Sequence, residues 1–310
     1  VADRQLALIK TEVTPGTDPT PAASEAIWIE SPSFKLAGEK ETGDPARPGL
    51  SPVVGTVYGQ YGTLEFDVPL AASGAAGTAP KWGPLAKACG WSESVVAVTS
   101  VTYGLLSDTS AATSVTIYWN EGRRKHVLTY ARGNMSLKCE KGKRPMLHFK
   151  FKGLVAAVTT RAALAQVDAT WTGWNDANPI ANGRTTWTYA GQAVPFWELS
   201  FDQNDTVVFR DLPNQKTVQI LGKRTFTGKT KGGVLLPSTL NLDNLWLNGT
   251  LSTFALVHES AAGKIVTVNG RFQQLMPDYV DESGEDCFTA DLEFKPSAVG
   301  AEDDISIVLT

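Results

Sequence analysis

"SVTIYWNEGRRKHVLTYARGNMSLKCE", Ser114 to Glu140, decides the fold. "SVTIYW" and "KHVLTY" are rich in β-branched and aromatic residues, and "NEGRRK" between them predicts a hairpin turn. "RGNMSLKCE" then leads through the basic turn "KGKR" into "MLHFKFKGLV". There Leu147, Phe149 and Phe151 alternate with His148, Lys150 and Lys152, the period-two pattern of a strand with one buried face. Upstream, Leu64, Phe66 and Val68 alternate in the same way with Glu65 and Asp67.

The block recurs. "LSTFALVHESAAGKIVTVNGRFQQL" can be laid beside Ser114–Leu137, and "FTADLEFKP" beside "MLHFKFKG". Gly133 then matches Gly270, an offset of 270 − 133 = 137, and Phe151 matches Phe294, an offset of 294 − 151 = 143. The longer second hairpin, "MPDYVDESGED", accounts for the difference. A helix-like stretch precedes each block, Pro80–Gly90 and Leu240–Gly249. The match is of pattern, which two hairpins in an unrelated β protein also produce. Read as a duplication, it predicts two similar all-β domains, 1–155 and 156–310, each with one short helix.

In "TAPKWGPLAKACGW", Trp82, Leu85, Ala86 and Cys89 fall on one helical face, Pro80 suits the first turn and Gly90 is a stop. Trp82, Leu85 and Cys89 are thus expected to pack the helix onto the sheet. The Thr/Pro-rich residues 1–36 read as an extended arm. Glu39–Pro52, with three prolines and no periodicity, reads as a long exposed loop. The Ala/Thr/Trp-rich stretch 160–192 reads as an insertion or decoration.

The chain has 310 residues, 42% hydrophobic and 19% charged, the balance of a folded protein. A net charge of −4 does not suggest tight binding to nucleic acid or anionic membrane. "VADRQLALIK" lacks the regions of a signal peptide, so synthesis in a cytoplasm is expected, with no membrane partner. Cys89, Cys139 and Cys287 are widely spaced and read as free thiols.

Catalytic readings find little support. Cys89 falls at a helix C-terminus, where the dipole disfavours a thiolate. No GxSxG elbow is present, and His126, His148 and His258 lack metal-site spacing. "GKRTFTGKT" has five residues between its glycines where a phosphate loop has four. No carboxylate pair stands out for glycoside hydrolysis. No enzyme and no cofactor is expected. Trp171, Trp174, Trp187 and Trp197 suggest a different class, a carbohydrate-binding β-sandwich with exposed rings; the competing reading places them in core or interface.

"GTDPTPAASEA", "RPGLSPVVGTVYG" and "SGAAGTAPKWGPLAKACGWSE" resemble the N-terminal half of siphophage major tail (tail tube) proteins. "NEGRRKHVLTYARGNMSL", "DLPNQKTVQILG" and "FKPSAVGAEDDISI" continue the resemblance. It spans nearly the whole chain and is weakest over 160–192. It implies a structural virion protein, made in the host bacterial cytoplasm, built on β-barrel or sandwich domains flanked by a helix. Rings of such subunits stack head to tail into a non-contractile tube. The tube meets the tail terminator and tail-tip proteins, surrounds the tape-measure protein and conducts double-stranded DNA at ejection. Together with the repeat, the resemblance predicts a trimer with pseudo-sixfold symmetry, a hexamer being the alternative.

On this reading the lumen should avoid holding DNA. Glu65, Asp67, Glu198, Asp291 and Glu293, opposite apolar strand faces, are the candidate lumen residues. The acidic Glu39, Glu41 and Asp44 with Arg47, and the basic Lys141, Lys143 and Arg144, are candidate contacts between rings.

Overall fold

The computed structural model describes residues 5–43, 51, 53–156, 159–160, 171, 174–222 and 224–310. The described residues are mostly antiparallel strand, with two short α-helices among them. Its first part holds β1 (Gln5–Thr11), β2 (Ala26–Ile27), β3 (Glu30–Glu41), β4 (Thr56–Pro69), α1 (Gly83–Ala88), β5 (Trp91–Val96), β6 (Ser100–Leu105), β7 (Val115–Glu121), β8 (Arg124–Glu140), β9 (Met146–Val155) and β10 (Thr159–Thr160). The second holds β11 (Thr185–Tyr189), β12 (Gln192–Ala193), β13 (Phe196–Asp202), β14 (Thr206–Leu212), β15 (Gln215–Leu221), β16 (Thr227–Gly233), α2 (Leu242–Leu247), β17 (Leu251–His258), β18 (Val266–Gln274), β19 (Asp278–Glu282), β20 (Glu285–Phe294) and β21 (Ile305–Leu309).

The pairing order β2–β1–β7–β8–β9–β4–β3 recurs as β12–β11–β17–β18–β20–β16–β13. β19 continues the line of β18 along β20, so β18 and β19 together stand where the long β8 stands. The registers correct the sequence match by two residues. Gly133 lies opposite Phe151, but Phe272 rather than Gly270 lies opposite Phe294, an offset of 272 − 133 = 139.

The two parts are knitted together. β8 pairs with β13, and β21 pairs with β6 of the inserted β5–β6 hairpin. The core is correspondingly shared: Trp91 packs its ring on Phe201 and Phe226, with centroids 6.2 and 6.0 Å apart. Burial of each such aromatic contributes about 2–3 kcal/mol, so the shared core ties the two parts together.

Local sequence explains the other elements. Pro84, rather than Pro80, occupies the first turn of α1, and Gly90 at φ +82° ends it. Glu39–Glu41 is strand and not loop, paired with Thr56–Tyr58 in the long β3–β4 hairpin. Much of the rest of the expected loop, including Asp44 and Arg47, lies outside the described residues. The described part of the N-terminal segment packs on β7. Glu12 is buried and accepts bonds from Ser114 Oγ and Thr116 Oγ1 at 2.6 Å and from the Gly16 and Tyr130 amides at 2.7 Å. Tyr118 donates to Asp18 at 2.5 Å, so the Thr14–Pro21 stretch folds back on β7.

Candidate functional site

One sheet runs β3–β4–β9–β8–β13–β16–β20–β19 through both parts. Its apolar side faces the core. Its polar side is concave and encloses about 940 Å³. Strand register brings distant residues into rows there. One row reads Asp67, His148, Ser136, Asp202, Thr227, Glu293; the next reads Met146, Lys138, Ser200, Lys229, Asp291.

The candidate lumen acids therefore share one face. Asp67, Glu198, Asp291 and Glu293 line the concavity, and Glu65 lies two residues along β4 from Asp67. The face is mixed rather than acidic, however. Lys150 meets Glu65 at 2.6 Å, Lys229 meets Asp291 at 3.5 Å, Lys295 meets Glu293 at 2.9 Å, and His148 Nδ1 lies 2.7 Å from Asp67. Lys138 and Lys143 both hold Glu140. The hydrogen bond from Lys150 keeps the Glu65 carboxyl below its ordinary range, and those from Lys138 and Lys143 do the same for Glu140. Lys150 on β9 and Lys229 on β16 share the acids' strand parity, but strand register decides which acid each one meets.

The candidate inter-ring charges lie at opposite ends of the β3–β4 hairpin. Glu30 pairs with Asp67 beside the β8–β9 turn, whereas Glu41 pairs with Thr56 at the far end, about 35 Å away at a strand rise of ~3.3 Å per residue. Within the chain the basic turn makes its own contacts. Arg144 bridges Glu30 and Asp176, each at 2.7 Å, and Lys141 sits 3.8 Å above the Trp197 ring. Glu39 accepts a 2.5 Å bond from Tyr58.

Trp82, Leu85 and Cys89 are fully buried, as their spacing predicts. Burial pushes the Cys89 thiol well above its ordinary pKa, which disfavours the thiolate a nucleophile needs. The end of α1 is covered by the second part: Gln203 Nε2 donates to the Cys89 carbonyl at 2.6 Å, and Gln203 Oε1 accepts from Trp91 Nε1 at 3.1 Å. No sequence motif marks Gln203. In α2, at the corresponding place, Leu242 is buried but Trp246 and Leu247 are exposed, as are Leu251, Leu275, Met276, Tyr279 and Val280 nearby in the chain. Tyr279 donates to Asp243, which fixes β19 beside this helix.

The four tryptophans do not form one exposed platform. Trp187 is buried, Trp174 is half-buried with Nε1 bonded to the Ala26 carbonyl, Trp197 lies between Lys141 and Lys231, and Trp171 is exposed. Among the described residues no group of His, Cys, Asp or Glu is arranged to hold a metal ion. No helix there is long and apolar enough to cross a membrane. No protein-family model and no curated protein matches the chain.

Proposed function

We propose that the chain is the major subunit of a long, non-contractile phage tail tube. The observation that carries this reading is the β8–β13 seam, which makes a single sheet of two like pairing units and leaves both ends open. Among the described residues β3 pairs only with β4, and β19 only with β20. A unit that joins its two halves by edge pairing can join the next copy in the same way. Such a contact is heterologous, and it closes into a ring if the rotation allows. Closure also removes strand edges that otherwise invite aggregation.

The concave polar face fits a lumen. Lys150 meets Glu65 and Lys229 meets Asp291 across the strands, and Lys295 meets Glu293 along one, so the face presents no continuous basic track to phosphates and DNA can pass without being held. Three copies of a two-part chain give six lobes. Stacked rings would then surround the tape-measure protein and end at terminator and tip proteins. The buried and half-buried tryptophans weigh against the carbohydrate-binding alternative.

Sedimentation over a concentration series tests the reading. Tube formation predicts growth into large particles of varied length and one diameter. A monomer at every concentration that binds a glycan would replace it with the carbohydrate-binding reading.

A further inference from the structure

The internal seam is a template for an external one. Phe34 lies opposite Leu64, which lies opposite Phe151. In the second part Asp202 lies opposite Thr227, and the preceding Phe226 bonds Phe294 through its carbonyl. Phe34 on β3 therefore holds the place of Gln203, which follows Asp202. Likewise Gly90 and Gly249, both at positive φ, end the two helices and set α2 in the place of α1.

Inside the chain, the strand end at Gln203 covers the end of α1 and β13 pairs with the Ser136–Glu140 edge of β8. The matching surfaces elsewhere are uncovered: α2 with Trp246 and Leu247, the edge of β19, and on the opposite side the edge of β3 with Leu36. Leu247 is 67% exposed and Leu36 56%. The chemistry changes in step. Where Gln203 meets a carbonyl and an indole N–H and Asp205 accepts from the Gln203 amide, the matching β3 positions are Phe34 and Leu36, and the matching helix end offers apolar side chains.

We infer that the α2–β19 side of one copy is the seat for the β3 edge of a second copy of this chain, with Leu36 packed against Trp246 and Leu247 and the β19 edge hydrogen-bonded to β3. This rests on the ring reading and names its interface. The alternating use of one seam within the chain and one between chains is what makes a two-part subunit ring-forming.

Amide hydrogen exchange on the wild-type protein, compared between dilute and assembled samples, tests it directly. Backbone amides of Asp278–Glu282 and of the β3 edge should become protected on assembly. Leu36→Asp should raise the concentration needed for assembly by tenfold or more, since a charge would be buried in an apolar contact (about 1.4 kcal/mol per tenfold). Adding Leu247→Lys to that variant should restore assembly. Both positions are exposed in the single chain, and circular dichroism should show each variant folded. Wild-type tubes with unchanged exchange at β19, or a Leu36→Asp variant that assembles normally, would overturn the interface while leaving the tube reading standing. A wild-type chain that never assembles would overturn both.

Discussion

Gln203 Nε2 lies 2.6 Å from the carbonyl oxygen of Cys89, and through that bond a strand end of the second part closes the helix end of the first. The same amide group also bonds Asp205 at 2.8 Å, Trp91 at 3.1 Å and the Met135 amide at 3.3 Å. All are buried, so removing the amide leaves several polar groups without partners. Gln203→Ala should lower unfolding stability by about 3 kcal/mol, the cost of orphaned buried polar groups. Urea denaturation would measure it, and a loss well under ~1 kcal/mol would show that the seam does not depend on this residue.

The thiols give a second prediction. Burial raises the pKa of Cys89 and of Cys139, and both are sealed from solvent. Neither should react with a thiol reagent in the native protein at neutral pH, and both should react in denaturant. Cys89→Ala should cost about 1–2 kcal/mol through a small cavity and still assemble. A folded Cys89→Ala monomer that cannot assemble would contradict the packing role.

Acid should weaken the fold through its buried histidines. His258 Nε2 lies 3.0 Å from the Asn178 carbonyl and Nδ1 lies 2.8 Å from Thr185 Oγ1, which suits a neutral ring donating from Nε2. Burial lowers the pKa of His258 and of His126 below 6.5. As pH falls below that value the unfolded chain takes up these protons before the folded one. Their contribution is therefore intact above about pH 6.5 and lost as pH falls toward the lowered values. The urea midpoint should drop between pH 7 and about 5.5, and His258→Gln should flatten the drop. An equally steep profile in the variant would assign the effect to other groups.

Charge reversal at the β8–β9 turn separates two roles. Arg144→Glu removes the bridges to Glu30 and Asp176 and should cost folding stability, on the order of 1 kcal/mol for a half-exposed pair. Lys143 bridges Glu140 from a well-exposed position, so Lys143→Glu should leave the monomer stable. Reversal of Lys141, Lys143 and Arg144 together should impair stacking, and tubes of normal length from a folded triple variant would refute a role in register.

The fold was legible wherever one face of a strand is buried. Leu64, Phe66, Leu147, Phe149 and Phe151 alternate because core and groove lie on opposite sides of one sheet, and the pattern needs no partner to be read. The packing face of α1 was legible for the same reason. The β3–β4 hairpin end was not, because Leu36, Val57 and Tyr58 are exposed and Glu39–Glu41 carries charge on both faces. The polar groove was half legible. Parity places Glu65, Asp67, Asp291 and Glu293 on it, but Lys150 and Lys229 meet Glu65 and Asp291 from neighbouring strands, and only register brings them together. Gln203 was illegible: an isolated polar residue after a strand gains its meaning from Cys89, which lies far away in the sequence.

End-on electron microscopy of the purified protein, at rising concentration, tests the central claim most directly. The account predicts rings with a central hole, six lobes from three copies, stacking into tubes of constant diameter. Particles that remain single subunits at every concentration, or aggregates without a central hole, would contradict it.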